Sequence, residues 1–246
     1  MRIESVGARG RIVSFPELSR TNLYLVYGAE HTFLCDTFLG PAPMGPIKKM
    51  LTADGRTQPV VVFNSHQDWD HIWGNCAFPG STIVATEQCA VNARSHFAIE
   101  WAKYSDMAQG EVVPVYPNLL FTGRLLFPDD GVLFFSSPGH TNGSASCIDL
   151  QDSVLYLGDN VEAPLPYLFS PDLKRYAESV SAYLSLNPAT IVTGHGERET
   201  MTLDLVRSNL AYVTALAAGE ALDVASWDEG ARAMHQQNLA WLAEHR

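Results

Sequence analysis

The chain has 246 residues, 46% of them apolar and 17% charged, with 16 Lys+Arg against 27 Asp+Glu and a formal net charge of −11. The apolar content excludes a disordered chain, and the acidic surplus excludes nucleic-acid binding through a basic face. No stretch of about 18 apolar residues occurs, which excludes a membrane-spanning helix. At roughly 100–200 residues per domain, and with no repeat or linker, one domain over residues 1–246 is expected. Cys35, Cys76, Cys89 and Cys147 show no CxxC spacing and read as reduced core thiols. The start of the chain lacks the apolar core of a signal peptide, so a cytoplasmic protein is expected.

Residues 22–27 are rich in strand formers, a turn follows at Gly28-Ala29-Glu30, and residues 31–36 continue as the partner strand of a hairpin. Residues 46–53 suit a helix with proline in its first turn. Residues 59–63 form a continuous apolar run, as a strand buried on both faces does, and residues 81–85 are a further strand. After Thr86, a capping residue, Ala90, Ala93, Phe97, Trp101, Tyr104 and Ala108 share one helical face. Strands return at residues 131–136, 144–150 and 153–157. Ser170-Pro171-Asp172 starts a helix whose buried face is Leu173, Tyr176, Val180 and Leu184, and Asn187-Pro188 stops it. Residues 190–193 are one more buried strand. Leu203, Val206, Leu210 and Val213 mark another helix, and Ser226-x-x-Glu229 reads as a capping box opening the last one. The order suits an α/β architecture of two packed sheets with helices outside.

Chemistry concentrates at predicted strand ends. His66-x-Asp68-x-Asp70-His71 places four metal-ligand types in six residues, directly after a buried strand. Imidazole and carboxylate together suit zinc, iron or manganese. Gly139-His140-Thr141, Gly158-Asp159 and Gly194-His195 each set one more ligand type beside a glycine after a strand. His31, His96, His235 and His245 read as surface or partly buried residues. Trp69 and Trp73 read as packing under the metal loop, and Phe97, Trp101 and Tyr104 as core. Residues 164–169, apolar and broken by proline, read as a pocket mouth, and Asn142 and Ser144 as fixing the turn after His140.

These segments, together with Asn22-x-Tyr24-Leu25-Val26 and Cys35-Asp36-Thr37, resemble in order the metallo-β-lactamase-fold superfamily of glyoxalase II-like metallohydrolases. The resemblance covers residues 22–195 and implies a four-layer αββα sandwich of two mixed sheets. It implies one metal group of His66, Asp68 and His140, a second of Asp70, His71 and His195, and Asp159 bridging them. Two divalent ions are implied, zinc first, with iron or manganese as alternatives. The usual pattern is H-x-H-x-D-H, and Asp68 stands where its second histidine belongs; the flavodiiron branch has Glu there and binds two irons. Asp36 is a candidate outer acceptor for a ligand histidine.

The implied reaction is attack by a metal-bridging hydroxide, oriented by the catalytic Asp70, on a small ester, thioester, lactone or related substrate. With Asp68 present, the formal charges of two divalent ions, three aspartates and a hydroxide cancel, which favours small neutral or weakly charged substrates over polyanions. Neither nucleic acid nor a membrane is an expected partner, and a homo-oligomer is compatible. A non-haem iron oxidoreductase and a metal-binding protein without catalysis are the alternative readings.

Overall fold

The computed structural model describes residues 1–245, and among these lie twelve strands and six α-helices. One sheet takes β1 (Arg2–Val6), β2 (Gly10–Phe15), β3 (Thr21–Tyr27), β4 (Thr32–Cys35), β5 (Val60–Phe63), β6 (Thr82–Thr86) and β7 (Leu119–Phe121), in that order. Its first three pairings are antiparallel and its last three parallel. The second sheet runs β12 (Thr190–Val192), β11 (Val154–Tyr156), β10 (Ala145–Asp149), β9 (Val132–Ser136), β8 (Arg124–Phe127), with only β11 and β12 parallel. Both sheets are therefore mixed, as expected.

Strand alternation builds the layers. Tyr24, Val26, Phe33, Cys35, Val61 and Phe63 share one core with Phe134, Cys147 and Tyr156 of the second sheet. Their neighbours Leu23, Leu25, Leu34 and Val62 belong to another core, with Met44, Ile47 and Leu51 of α1 (Pro41–Ala53). Phe63 and Phe134 stack across the sheets at 4.4 Å. Beyond the second sheet lie α4 (Leu173–Leu186), α5 (Leu203–Ala217) and α6 (Glu229–His245), which contribute Tyr176, Val180, Val206, Val213 and Leu242 to the first core. On the other flank Trp73, in the 3-10 turn (Trp73–Ala77) that follows α2 (Trp69–Ile72), packs against Phe97 and Trp101 of α3 (Glu87–Tyr104).

Several elements differ from the sequence reading. The strands β1, β2, β7 and β8 were not expected. Helix α1 begins at Pro41, not Pro46. Pro41 and Pro43 fall in its first turn, where a missing N–H is harmless, and Pro46 forfeits one interior hydrogen bond. Helix α3 is capped as expected, Thr86 Oγ1 accepting from the Cys89 N–H at 3.0 Å. Asp172 likewise caps α4 through the Arg175 N–H. The cap of α6 is Asp228, which accepts from the Ala231 N–H at 2.8 Å, and not Ser226. A carboxylate directly before the first turn meets the free N–H groups without a detour. The four cysteines are unpaired, three of them buried and Cys76 half-buried. Among the described residues no helix is long and apolar enough to cross a membrane.

Candidate metal centre

The expected ligand side chains all arise at strand C-termini on one edge of the sandwich. His66 follows β5, His140 follows β9, Asp159 follows β11 and His195 follows β12. Asp68 sits at the N-cap of α2 with extended backbone, and Asp70 and His71 lie in that single turn. The His71 N–H donates to the Asp68 carbonyl at 2.9 Å. The short turn splits the motif, sending His66 and Asp68 to one side and Asp70 and His71 to the other.

Two groups result, His66/Asp68/His140 and Asp70/His71/His195, each with its ligand atoms within 4.8 Å of one another. Asp68 Oδ2 is 3.2 Å from His140 Nε2 and 3.6 Å from His66 Nε2. Asp70 Oδ2 is 3.3 Å from His195 Nε2 and 3.8 Å from His71 Nε2. Asp159 Oδ2 lies between the groups, 3.7 Å from His66 Nε2, 3.2 Å from His71 Nε2 and 3.3 Å from His195 Nε2. All seven expected ligand side chains thus converge.

The far ring nitrogens settle which atoms face inward. His140 Nδ1 donates to the Tyr167 carbonyl and His195 Nδ1 to the Leu18 carbonyl, each at 2.9 Å. His71 Nδ1 donates to Asp36 Oδ2 at 2.9 Å. Ser65 Oγ spends its one proton on Asp36 Oδ2 at 2.7 Å, so at 2.9 Å it accepts from His66 Nδ1. All four rings therefore carry Nδ1–H and present Nε2 to the centre, the orientation a metal ligand needs.

Asp36, expected as an outer acceptor, anchors this arrangement. It is fully buried, and also takes the Ser65 N–H at 2.8 Å and the Tyr156 hydroxyl at 2.6 Å. Asp36, His66 and His71 also group closely. With both Asp36 oxygens and both of those Nδ1 atoms engaged, that trio is a support for the centre and not a third site.

The residues fit divalent ions. His66 Nε2 and Asp159 Oδ1 are buried without any hydrogen-bond partner, an arrangement that is costly unless a cation meets them. Burial pushes Asp68 upward, but the His66 and His140 rings outweigh it and hold its carboxyl far below the usual range. Burial lowers His140, and the Asp68 carboxylate overrides it and lifts the ring to about 9. His71 and His195 are likewise raised against burial, chiefly by Asp159. The cluster of carboxylates thus attracts positive charge, whether protons or metal. Glycine is required beside it at two places. Gly158 has φ +54°, and a Cβ on Gly194 would overlap Asp159 Oδ1.

Glu162 is a buried acid that the sequence reading passed over. Its Oε1 has no partner, and burial followed by the Asp159 charge pushes its carboxyl up to about 8. The folded state then holds a proton that the unfolded chain releases near its ordinary value of 4.5. In chelator, stability is expected to fall as pH rises from about 4.5 to about 8. Glu162→Gln should flatten that slope in thermal melts, and an unchanged slope would refute the assignment.

Other supports also escaped the sequence reading. Asn160 Oδ1 accepts the His140 N–H at 2.8 Å, and its amide donates to the Ser137 carbonyl and the Tyr183 hydroxyl. The Asn22 side chain donates to the Gly196 carbonyl at 3.0 Å and its N–H to the Gly194 carbonyl at 2.7 Å, fastening the His195 loop to β3. Ser144 fixes the turn after His140 as expected, accepting from the Thr141 N–H. Asn142 instead accepts from Asn92 of α3 at 2.7 Å. Trp73 is buried as expected, whereas Trp69 and Tyr104 stack at 4.4 Å on the wall of a cleft beside Asp68. Residues 164–169 divide, with Leu165 and Leu168 buried and Phe169 in that cleft. His96 and His245 are exposed and His31 is half-buried against Asp130. His235 is buried, 3.1 Å from the Tyr212 hydroxyl, deeper than the surface or partly buried position expected.

Comparison with known proteins agrees with this geometry. The uncharacterized protein YobT of Bacillus subtilis (strain 168) is 21% identical over 216 residues, spanning 80% of this chain and 92% of YobT. A metallo-beta-lactamase from Pontibacter korlensis superposes with a TM-score of 0.65 at 19% identity, covering 87% of this chain and 98% of that one. The metallo-beta-lactamase FIM-1 from Pseudomonas aeruginosa, solved in a mono-zinc form, gives 0.66 at 15% identity over 88% and 96%. These likenesses establish the four-layer fold. The model of the metallo-beta-lactamase superfamily matches residues 17–195, well over half of the sequence, and the chain belongs to that superfamily.

Proposed function

We propose that the protein is a metal-dependent hydrolase that opens a small, neutral ester, thioester or lactone at a two-ion centre. The split donor set carries this reading. His66, Asp68 and His140 would hold one divalent ion, Asp70, His71 and His195 the other, and Asp159 both. Such ions supply Lewis acidity toward a carbonyl oxygen and lower the pKa of a water toward roughly 7. Asp70 orients that water and accepts its hydrogen bond. The Leu18 and Tyr167 carbonyls, Ser65 and Asp36 keep the four rings from turning. Imidazole-rich donors favour zinc, and the Asp68 carboxylate makes iron or manganese acceptable. Four unpaired cysteines fit a reducing compartment, the cytoplasm. Nucleic acid and membranes are not partners in this reading.

The test is a panel of p-nitrophenyl acetate, a thioester and a simple lactone, offered to zinc-loaded protein. Turnover should vanish on chelation and return with zinc. A fully loaded protein that turns over none of them contradicts the proposal. The Asp68 carboxylate also supports a second reading, an iron oxidoreductase, which oxygen consumption by iron-loaded protein with a reductant would favour. Exchanging Asp68 for histidine makes the centre one charge more positive. Asp68→His is expected to move the acidic limb of the pH–rate profile to lower pH, and an unmoved limb would show that this carboxylate does not set the acidity.

A further inference from the structure

Beside the Asp68 group the chain forms a cleft of about 450 Å³, within the range of small-molecule sites. Gln67, Asp68 and Thr141 lie along it, so it is continuous with the metal centre. One wall is α3, which presents Ile99 to solvent at 66% exposure. The other wall is aromatic. Phe169 is 47% exposed and stands edge-on to the ligand ring of His140 at 5.1 Å. Trp241 of α6 stands edge-on to Phe169 at 6.1 Å and stacks on His245 at 4.1 Å.

The wall is fixed in place. Asn238 of α6, 2% exposed, accepts the Leu168 N–H at 3.0 Å and donates to the Pro166 carbonyl at 2.9 Å. The Phe169 N–H donates to the His140 carbonyl at 2.9 Å. Helix α6 lies outside the part of the chain that the superfamily model matches. An exposed isoleucine sharing a cleft with the exposed Phe169 ring and the half-buried Trp241 ring beside a reactive centre marks a site that buries an apolar group.

We infer that this cleft between α3 and α6 binds an apolar arm of the substrate, alkyl or aryl, with Ile99, Phe169 and Trp241 as the residues that select for it. The inference rests on the hydrolase reading for the identity of the ligand, and it extends that reading from a reaction to a substrate class. The reacting carbonyl would lie over the His66/Asp68/His140 group, with the arm running along α3 away from it. The exposed His96 and Lys103, about one turn to either side of Ile99 on α3, and the half-buried Glu100 also line the cleft.

Binding of butyrate, hexanoate and octanoate to the zinc-loaded protein, measured by calorimetry, tests this without requiring turnover. Affinity should rise about two- to fourfold for each added methylene that the cleft buries. Ile99→Asp and Trp241→Ala should abolish this dependence on length while leaving the zinc content unchanged. Ile99 is so exposed that its variant keeps the test intact even if the Trp241 variant fails to fold. Affinity independent of length in the wild type, or an unaltered length dependence in Ile99→Asp, would overturn the inference. So would a dimer that Ile99→Asp dissociates together with length-independent binding, because the cleft would then be covered by a second copy. Length-dependent binding without hydrolysis of any ester would keep the cleft and remove the hydrolase. Hydrolysis of short esters with length-independent binding would do the reverse.

Discussion

Replacing Asp159 with asparagine is expected to reduce bound zinc to about one ion per chain and kcat/KM by about 10²–10³-fold. Asp159 Oδ2 is within 3.7 Å of His66 Nε2, 3.2 Å of His71 Nε2 and 3.3 Å of His195 Nε2. Asp68 meets imidazoles of its own group, His66 and His140, and Asp70 meets His71 and His195, whereas Asp159 meets imidazoles of both. Asparagine has the same shape but no charge, and a neutral amide oxygen in the Oδ2 position holds two cations far more weakly than a carboxylate oxygen does. Elemental analysis and the ester assay, run on the same preparation, check both numbers. Undiminished zinc and activity in the variant would remove Asp159 from its bridging role.

The second large effect lies one layer deeper. Asp36→Asn puts an amide where Oδ2 now accepts from His71 Nδ1, Ser65 Oγ and the Tyr156 hydroxyl. Buried donors would then face a donor, at a cost of about 3–5 kcal/mol. His71 would also lose the partner that fixes its ring, weakening zinc binding by about 10–100-fold. Tyr156→Phe removes a single donor from the same carboxylate and should cost only about 1 kcal/mol. Denaturant titrations of the two variants in chelator measure the stability term, and zinc competition measures the other. Equal losses in both variants would show that Asp36 is not the anchor described here.

Much of this was legible in the sequence because ligand chemistry and strand ends coincide in it. The apolar run ending at Phe63 leads straight into His66, and glycine flags His140, Asp159 and His195. A buried strand and a glycine are local signals, so candidate ligands could be read without knowing how the sheets pair, and the resemblance implied their grouping. The missing strands have a different character. Residues of β1 are mostly exposed, and β8 alternates exposed with half-buried, so neither carries a strong apolar pattern. β1 and β8 are edge strands, each paired only with the strand just across a turn. The outer supports were hidden for another reason. Leu18 and Tyr167 act through backbone carbonyls, which any residue could supply. Leu18, Ser19 and Arg20 all take positive φ, a conformation that these residue types do not announce. Asn160 is an ordinary asparagine until folding brings it to the His140 loop, as is Asn238 until it meets Pro166 and Leu168. Asp36 could be named because it is an acid at the end of the predicted strand 31–36, in the segment Cys35-Asp36-Thr37 that carries the resemblance.

Anomalous diffraction from crystals of the zinc-loaded protein tests whether these seven side chains form two adjoining metal sites joined by Asp159. Two ions per chain are expected, roughly 3.5–4 Å apart, one touching His66, Asp68 and His140 and the other touching Asp70, His71 and His195, with Asp159 on both. A single ion in fully loaded crystals, or a pair of ions with Asp68 turned away from both, would contradict it.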